Sequence, residues 1–218
     1  VARMFGCWDT RPTGTIVAND ADNSGVSNKR LVAPNTTPED CVYTGLLHIW
    51  AHQRYFERKL WDRMDQMKSK YLPNENRFKP TTAFLRKLFA AYLEVHFAEY
   101  YANEEFRALM TDRVRPLLTV RPLPANVRLE YLKLMRSGDA RAMDVEMDVA
   151  SELFGVTIKA YTADFDNQPG PTIIYTLRRT FQPKRSPPIS NNNEPQDLGT
   201  WKILTGEPFE NGCQYVDA

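Results

Sequence analysis

The sequence predicts an α+β fold in which a helical lobe packs on a small C-terminal β-sheet. Apolar residues recur every three or four positions between about residues 41 and 154, as in amphipathic helices. From Val156 onward they alternate, and segments rich in β-branched and aromatic residues follow. Gly155 stands where the period changes, which suits a helix C-cap. Helices first and strands last is an order typical of α+β proteins.

The composition indicates one compact domain preceded by a polar arm. The chain has 218 residues, 42% of them hydrophobic, which is enough to bury one core. Residues 1–36 are rich in Asn, Asp, Ser, Thr and Gly, so we expect an extended, exposed N-terminal arm before a domain at residues 37–218. Because the chain begins with Val1 rather than Met, we expect it to be part of a longer protein.

Charge and cysteine usage narrow the class of partner. With 28 basic and 27 acidic residues, no net field draws the chain onto nucleic acid or an anionic membrane, so we expect local recognition of a protein partner. No apolar run is long enough for a membrane span or a signal peptide. The three cysteines suit a reducing compartment and form no zinc pattern. We therefore expect an intracellular protein, cytoplasmic or nuclear, without a cofactor.

The first predicted helix starts at a signature that resembles a capping box. Thr37 is a suitable N-cap, Pro38 fits the first helical position, and Asp40 follows three residues after the cap. One apolar face then continues toward Met67, either unbroken or with one break, and Pro73 ends it. The residues of this face are Val42, Leu46, Ile49, Trp50, Phe56 and Leu60.

Three further helices are expected before the sheet. The longest runs from about Thr82 to Met110, and its wide apolar face serves either the core or a dimer. Shorter helices are expected over Asn126–Met135 and Met143–Phe154, the latter closed by Gly155. The apolar face of the long helix comprises Phe84, Leu88, Tyr92, Val95, Phe97, Tyr101, Phe106 and Leu109.

The last third of the chain predicts strands and one long polar loop. Val156–Tyr161 alternates as a strand should, and Thr172–Phe181 is rich in β-branched and aromatic residues. Short strands are expected at Trp201–Leu204 and Cys213–Val216. The segment Gln182–Gly199 is dense in Pro, Ser and Asn, which predicts a mobile or partner-touching loop.

The segment from residue 131 to residue 161 carries a distinctive pattern. It reads Tyr-Leu-Lys-Leu-Met-Arg at residues 131–136 and, after a loop, Glu-Met-Asp-Val-Ala-Ser-Glu-Leu-Phe-Gly-Val-Thr-Ile-Lys-Ala-Tyr at residues 146–161. This pattern resembles the ovarian-tumour (OTU) family of cysteine deubiquitinases, in which a Tyr-Leu, Met helix precedes a glutamate-led helix, a Phe-Gly-Val turn and a central strand. The resemblance extends over residues 38–217 and implies a papain-type cysteine protease fold.

The resemblance also implies a catalytic site built from the two ends of the domain. Cys41, followed by an aromatic residue at Tyr43, falls at the family's nucleophile position, and Gln214 lies where the family has histidine in a His-Tyr pair. Asp217 is an imperfect third member, because it lies three residues after Gln214 rather than two and so faces the other side of a strand. The positions that would line the binding groove are Pro38, Glu39, Asp40, Arg141 and Tyr215.

The sequence departs from the family at the groups that perform the chemistry. The family's Asp-Gly-Asn-Cys loop is Pro-Glu-Asp-Cys at residues 38–41, so proline offers no N–H to an oxyanion and two acidic side chains oppose thiolate formation. The family's Trp-Gly-Gly is Arg-Ala-Met at residues 141–143. The amide of Gln214 cannot accept a proton near neutral pH, so it can orient a thiol but not activate it.

No other histidine is well placed to replace the missing base. His48 lies seven residues after Cys41 on the same predicted helix, about 10 Å along the helix axis. His52 is farther away. His96, on the second helix, is the remaining candidate, but its apolar neighbours favour a packed or surface histidine.

Each candidate residue also has a purely structural interpretation. Cys41 suits a small, semi-buried position in the first turn of a helix, and Glu146 suits a charge at a helix start. Gln214 is either an ordinary strand residue or a laboratory replacement. A basic cluster beside Phe181 is typical of a solvated strand end, and only secondarily of a surface for an acidic or nucleic-acid partner. Its members are Arg178, Arg179, Lys184 and Arg185.

Three hypotheses follow from these residues. The leading one is a pseudo-deubiquitinase, an OTU-like domain that has lost its general base and acts as a protein-interaction module for ubiquitin, a ubiquitin-like modifier or another protein. The alternative is an active OTU-type deubiquitinase that uses Cys41, with its histidine replaced in the laboratory or supplied from elsewhere. The third is a helical-plus-sheet scaffold that binds through exposed aromatic residues and resembles the family by coincidence.

Overall fold

A layer of helices packs against a mixed β-sheet, so the fold is α+β. The computed structural model of the chain describes residues 15–19, 31–32, 39–52, 57–119, 121–166, 172–184, 200–204 and 215–216. The predicted order of helices followed by a sheet is confirmed for the part after residue 40, while two short strands precede the first helix.

Six strands form one sheet in the order β1-β4-β3-β5-β6-β2. They are β1 (Thr15–Asn19), β2 (Leu31–Val32), β3 (Thr157–Asp166), β4 (Thr172–Phe181), β5 (Thr200–Leu204) and β6 (Tyr215–Val216). β1 is parallel to β4 and β5 is parallel to β3, whereas the pairs β3–β4, β5–β6 and β6–β2 are antiparallel. The segment predicted as an arm thus supplies the strand at each edge of the sheet. The domain boundary after residue 36 stays a prediction.

Among the described residues, six α-helices form the other layer. They are α1 (Cys41–His52), α2 (Glu57–Tyr71), α3 (Thr82–Ala102), α4 (Glu104–Val114), α5 (Pro124–Ser137) and α6 (Asp144–Phe154). A 3₁₀ turn at Arg115–Leu117 follows α4. The long pattern predicted toward Met67 is therefore divided between α1 and α2, and α5 begins with Pro124 at its first position, where proline is favoured.

The prediction that Thr37 caps the first helix was wrong. The first helical hydrogen bond runs from the Thr44 N–H to the Asp40 carbonyl at 2.8 Å, so Asp40 is the N-cap and the helix begins at Cys41. The capping signature depends on Asp40 folding back onto its own helix, but its carboxylate instead binds Arg86 of α3. Thr37 and Pro38 lie outside the described residues.

The prediction of one helix from Thr82 to Met110 was also wrong. α3 ends at Ala102 because Asn103 takes an extended backbone, with φ −73° and ψ 120°. Its side-chain oxygen then accepts the Phe106 N–H at 3.1 Å and caps α4. Asparagine favours such capping over a position inside a helix.

The predicted apolar faces form the core. On α3, the predicted residues Phe84, Leu88, Tyr92 and Phe97 are all buried within the chain, so they serve the core rather than a dimer. Val95 is the exception, because it is 66% exposed although its spacing aligns it with Phe84 and Leu88. On α1 and α2, the buried members of the predicted face are Val42, Leu46, Ile49, Trp50 and Leu60.

The end of α6 connects the two layers. Gly155 has a positive φ of 68° and donates its N–H to Ser151 at 2.9 Å, which confirms the predicted C-cap. The guanidinium of Arg63 in α2 donates to the carbonyls of Leu153 at 2.7 Å and Glu152 at 2.6 Å. Arg63 therefore satisfies carbonyl groups that the end of a helix leaves without partners.

Candidate functional site

The turn that leads into Cys41 is held by Arg86, a buried residue of α3. Its Nε donates to Asp40 Oδ1 at 2.9 Å, and its Nη2 donates to the Glu39 carbonyl at 2.6 Å. The guanidinium also lies over the Tyr43 ring, 4.4 Å from the ring centroid. One arginine from another helix therefore fixes both residues before Cys41 and the ring two residues after it.

This contact changes the electrostatics predicted for Cys41. The Asp40 carboxylate is paired with Arg86, with 2.8 Å between Nη2 and Oδ1, and its other oxygen accepts from the Thr82 hydroxyl at 3.4 Å. A carboxylate paired with a cation repels a nearby thiolate less than a free one does. The ion pair with Arg86, which lies 46 residues away in sequence, was not expected from the sequence; the predicted opposition of Asp40 to thiolate formation stays a prediction.

Arg86 also reaches the loop between α5 and α6. Its Nη1 donates to the carbonyls of Ala140 at 3.2 Å and Met135 at 3.4 Å. In the same loop, the Arg113 guanidinium of α4 donates to the carbonyl of Arg141, whose own side chain is exposed. The turn before Cys41 and the loop that contains Arg141 are thus joined through one side chain.

A buried carboxyl group lies just after this loop, in the first turn of α6. Glu146 is 2% exposed, and it accepts the Tyr131 hydroxyl at 3.0 Å and the Met143 N–H at 2.8 Å. Burial raises the pKa of Glu146 above its ordinary value, although Arg113 and these hydrogen bonds act in the opposite direction. Because Glu146 bonds the N–H before α6, the interpretation of Glu146 as a helix-start charge fits its contacts.

Two tyrosines beside Glu146 have pKa values that are raised in the same way. Burial, together with the charge of Glu146, raises the pKa of Tyr43 and Tyr131 above the ordinary value of 10.0. Both side chains are at most 1% exposed. They act as neutral hydroxyls around a buried carboxyl group, and neither is suited to serve as a base for Cys41.

The C-terminal half of the predicted site is described at Tyr215. In β6 its backbone pairs with Ile203 of β5 and with Val32 of β2. α1, which begins at Cys41, packs against β5. The helix that starts with the predicted nucleophile and the strand that contains Tyr215 therefore both adjoin β5. Gln214 and Asp217 lie outside the described residues.

The ring of His96 contacts neighbouring side chains of α2 and α3. Its Nε2 lies 3.1 Å from the Tyr71 hydroxyl, its Nδ1 lies 3.3 Å from Glu99 Oε1, and its ring is 4.6 Å from that of Tyr92. His96 is also ten residues beyond Arg86 on α3, or about 15 Å along the axis at about 1.5 Å per residue. Because Arg86 contacts the turn before Cys41, His96 lies too far along the helix to serve as its base.

The two members of the basic cluster that lie on β4, Arg178 and Arg179, form ion pairs within the domain, whereas Arg185 lies outside the described residues. Arg179 forms a bidentate ion pair with Glu105 of α4 and reaches Asp144 Oδ2 of α6 at 3.2 Å. Arg178 contacts the same Asp144 oxygen at 3.3 Å. These pairs leave little cationic charge on β4 for an acidic or nucleic-acid partner.

Sequence reasoning missed Arg86 as part of this site. A signal for it was available, because Arg86, Phe89 and Leu93 follow a spacing of three and four residues and so share one face of α3. An arginine on an otherwise apolar face requires a buried partner. The identity of that partner, Asp40, depends on how α1 and α3 pack and cannot be read from spacing.

Within the described ranges, no three side chains of His, Cys, Asp or Glu are grouped as a metal ion would require. No described helix combines the length and apolar character needed to cross a bilayer. No family model matches the chain, and no curated protein matches it.

Proposed function

We propose that the chain is a catalytically impaired OTU-like domain, a pseudo-deubiquitinase that acts as a protein-interaction module and binds ubiquitin or a ubiquitin-like modifier. The observation that carries this proposal is that α1, which begins at Cys41, and β6, which contains Tyr215, both adjoin β5. The order α5, α6, Gly155 and β3 agrees with the OTU-like segment of the sequence. The proposed groove lies between the turn before Cys41 and the loop that contains Arg141.

The catalytic part of the proposal depends on Gln214. A glutamine amide has no basic lone pair that takes up a proton near neutral pH, so a thiol beside it keeps its proton. General-base assistance accelerates such reactions by about 10²-fold to 10⁴-fold. Losing this assistance leaves a fold able to hold a partner but poorly able to cleave it.

One observation favours the alternative of an active deubiquitinase. Because Arg86 pairs with Asp40, the charge before Cys41 opposes ionisation of the thiol less than the sequence implies. The N-terminus of α1 also favours the negative form of a group placed there. Both effects favour the alternative, but they supply no group to protonate a leaving amine.

Binding is tested by adding the protein to isotope-labelled ubiquitin and following amide chemical shifts. We expect shifts confined to one surface of ubiquitin and weakened by Arg141→Glu, which reverses an exposed charge in the proposed groove. Arg107→Glu is the matched control, because Arg107 is an exposed arginine of α4. No shifts with ubiquitin or with ubiquitin-like modifiers would remove the proposed partner.

Catalytic impairment is tested with a ubiquitin probe that carries a C-terminal electrophile. We expect no covalent adduct with the parent protein and an adduct with Gln214→His that disappears when Cys41→Ala is added. An adduct of the parent protein that depends on Cys41 would establish the active alternative. If neither protein reacts or binds, the third hypothesis of an unrelated scaffold replaces the proposal.

A further inference from the structure

We infer that Arg86 is the positioning residue of the proposed site: it ties the turn before Cys41 to the loop before α6 and cancels the charge of Asp40. The inference rests on the proposed function for its claim that these loops flank a groove. Arg86 has the burial expected of such a residue, since its side chain is 3% exposed. Its role lies in the contacts it makes with both loops.

The geometry of the tie involves three groups on two loops. Arg86 donates to the Glu39 carbonyl at 2.6 Å and to the Asp40 carboxylate at 2.9 Å on one side, and to the Ala140 carbonyl at 3.2 Å on the other. Only a planar guanidinium offers donors in so many fixed directions. Tyr43 supports the group from one face, with 4.4 Å between the guanidinium carbon and the ring centroid.

The charge of Arg86 matters for the residue that follows Asp40. Asp40 immediately precedes Cys41, and its carboxylate is 32% exposed, so its charge is only partly screened by water. With Arg86 in place the pair is neutral. Removing Arg86 leaves a negative charge next to Cys41, and removing the Asp40 charge leaves a positive one. The two changes must therefore alter the acidity of Cys41 in opposite directions.

The test follows the alkylation rate of Cys41 by iodoacetamide against pH, in a protein that carries Cys7→Ser and Cys213→Ser. We expect Arg86→Gln to move the midpoint of the profile upward and to slow alkylation at pH 7 by about three- to tenfold. Asp40→Asn should move the midpoint downward and speed the reaction by a similar factor. The double variant should return close to the starting protein. Shifts of both single variants in the same direction, or no shift, would overturn the charge part of the inference.

The tie between loops is tested by amide hydrogen exchange. Arg86→Gln should accelerate exchange at Thr44, whose N–H bonds the Asp40 carbonyl, and at Met143 in the loop before α6. Arg136→Gln is the matched control, because Arg136 also bridges α5 and α3 but pairs with exposed Glu94 at 2.6 Å. Faster exchange at only one of the two amides, or equal effects of both variants, would contradict a tie through Arg86.

These measurements contain no ubiquitin, so they can fail independently of the proposed function. A protein that does not bind ubiquitin but shows opposite shifts for Arg86→Gln and Asp40→Asn refutes the function and supports the inference. A protein that binds ubiquitin but lacks those opposite shifts supports the proposed function and refutes the inference about Arg86. Thermal unfolding of each variant identifies any that does not fold, and Asp40→Asn changes the less buried member of the pair.

Discussion

Arg63 packs so closely against Gly155 that a side chain at position 155 would collide with it. Gly155 has a φ of 68°, and a Cβ built on it would lie 2.8 Å from Arg63 Nε. The guanidinium occupies that space because it donates to the carbonyls of Leu153 and Glu152. A glycine at this position therefore serves both the left-handed backbone and the close approach of Arg63.

Gly155→Ala should lower the free energy of unfolding by about 2–4 kcal/mol, because it adds backbone strain and displaces the Arg63 hydrogen bonds. Gly138→Ala is the matched control: it has a φ of 85° with nothing near the added Cβ, so only the backbone strain of about 1 kcal/mol applies. Urea unfolding of both variants measures the difference. Equal losses would mean that Arg63 moves aside without cost.

Glu146 makes stability depend on pH in a direction opposite to that of most carboxylates. Burial raises the pKa of Glu146 above 4.5 in the folded protein, while in the unfolded chain it ionises near that value. Stability from this group is therefore present at low pH and is lost as pH rises through the folded pKa. The loss amounts to about 1.4 kcal/mol for each unit by which the two pKa values differ.

We expect Glu146→Gln to gain stability relative to the parent protein as pH rises from about 4.5 to 7.5, since only the parent must ionise a buried carboxyl group. Tyr131→Phe should steepen the loss of stability with pH, because the Tyr131 hydroxyl bonds Glu146 and lowers its pKa. Urea titrations at several pH values measure both trends. If the difference in free energy of unfolding between Glu146→Gln and the parent protein did not change with pH, Glu146 would have an ordinary pKa.

At the scale of elements, the boundary between α3 and α4 depends on one side chain. The apolar pattern continues through Asn103, but its amide oxygen caps the Phe106 N–H and its backbone leaves the helical region. The capped break is therefore more stable than a continuous helix through Asn103. Tyr100 and Phe106, on either side of the break, are both buried, and their rings stack with centroids 5.5 Å apart.

Replacing the cap should weaken α4 selectively. Asn103→Ala should lower the free energy of unfolding by about 1 kcal/mol. Asn103→Asp should keep most of the parent protein's stability, because a carboxylate also accepts the Phe106 N–H. Thermal unfolding compares the two. A stability of Asn103→Ala equal to that of the parent would indicate that packing alone fixes the break.

Elements with strong local signals were predictable from the sequence. The positions of α5, α6 and β4 lie close to those predicted, whereas β3 runs to Asp166 rather than ending at Tyr161. Gly155 marks the end of α6 because its left-handed backbone favours glycine. The starts of α1 and α4 were not predicted correctly. The start of α1 was missed because Asp40 pairs with Arg86, which is distant in sequence. The start of α4 was missed because Asn103 can either continue a helix or cap a new one, and packing decides between the two.

At the scale of the whole molecule, α6 is the element that joins helices and sheet. Every residue from Val145 to Phe154 is buried. Phe154 lies between the Phe89 ring of α3, at 6.5 Å, and the Trp201 ring of β5, at 4.9 Å. Because both layers share these contacts, neither can open without exposing the other.

We therefore expect the slowest-exchanging amides of α6 and of β3 to share one opening free energy, equal to that of global unfolding. Phe154→Ala should lower both by about 3 kcal/mol, since it removes a ring from between the layers. Hydrogen exchange together with urea unfolding measures this. A sheet that exchanges much faster than α6 would show that the two layers unfold separately.

The candidate site was only partly predictable from sequence. The resemblance suggested Cys41, Asp40 and Arg141, and the structure joins the turn before Cys41 to the loop of Arg141. The resemblance could not suggest Arg86, because the family's sequence pattern does not indicate which buried cation pairs with which carboxylate. The roles of Gln214 and Asp217 stay predictions, since neither residue is among those described.

The sheet order has a practical consequence for anyone who shortens this chain. β1 and β2, both from the first 32 residues, occupy its two outer positions. A fragment starting at residue 37 would present bare N–H and C=O groups along β4 and β6, and such unprotected margins invite strands of other molecules. Stronger self-association of the fragment than of the 218-residue chain would show that β1 and β2 shield these strands from other molecules.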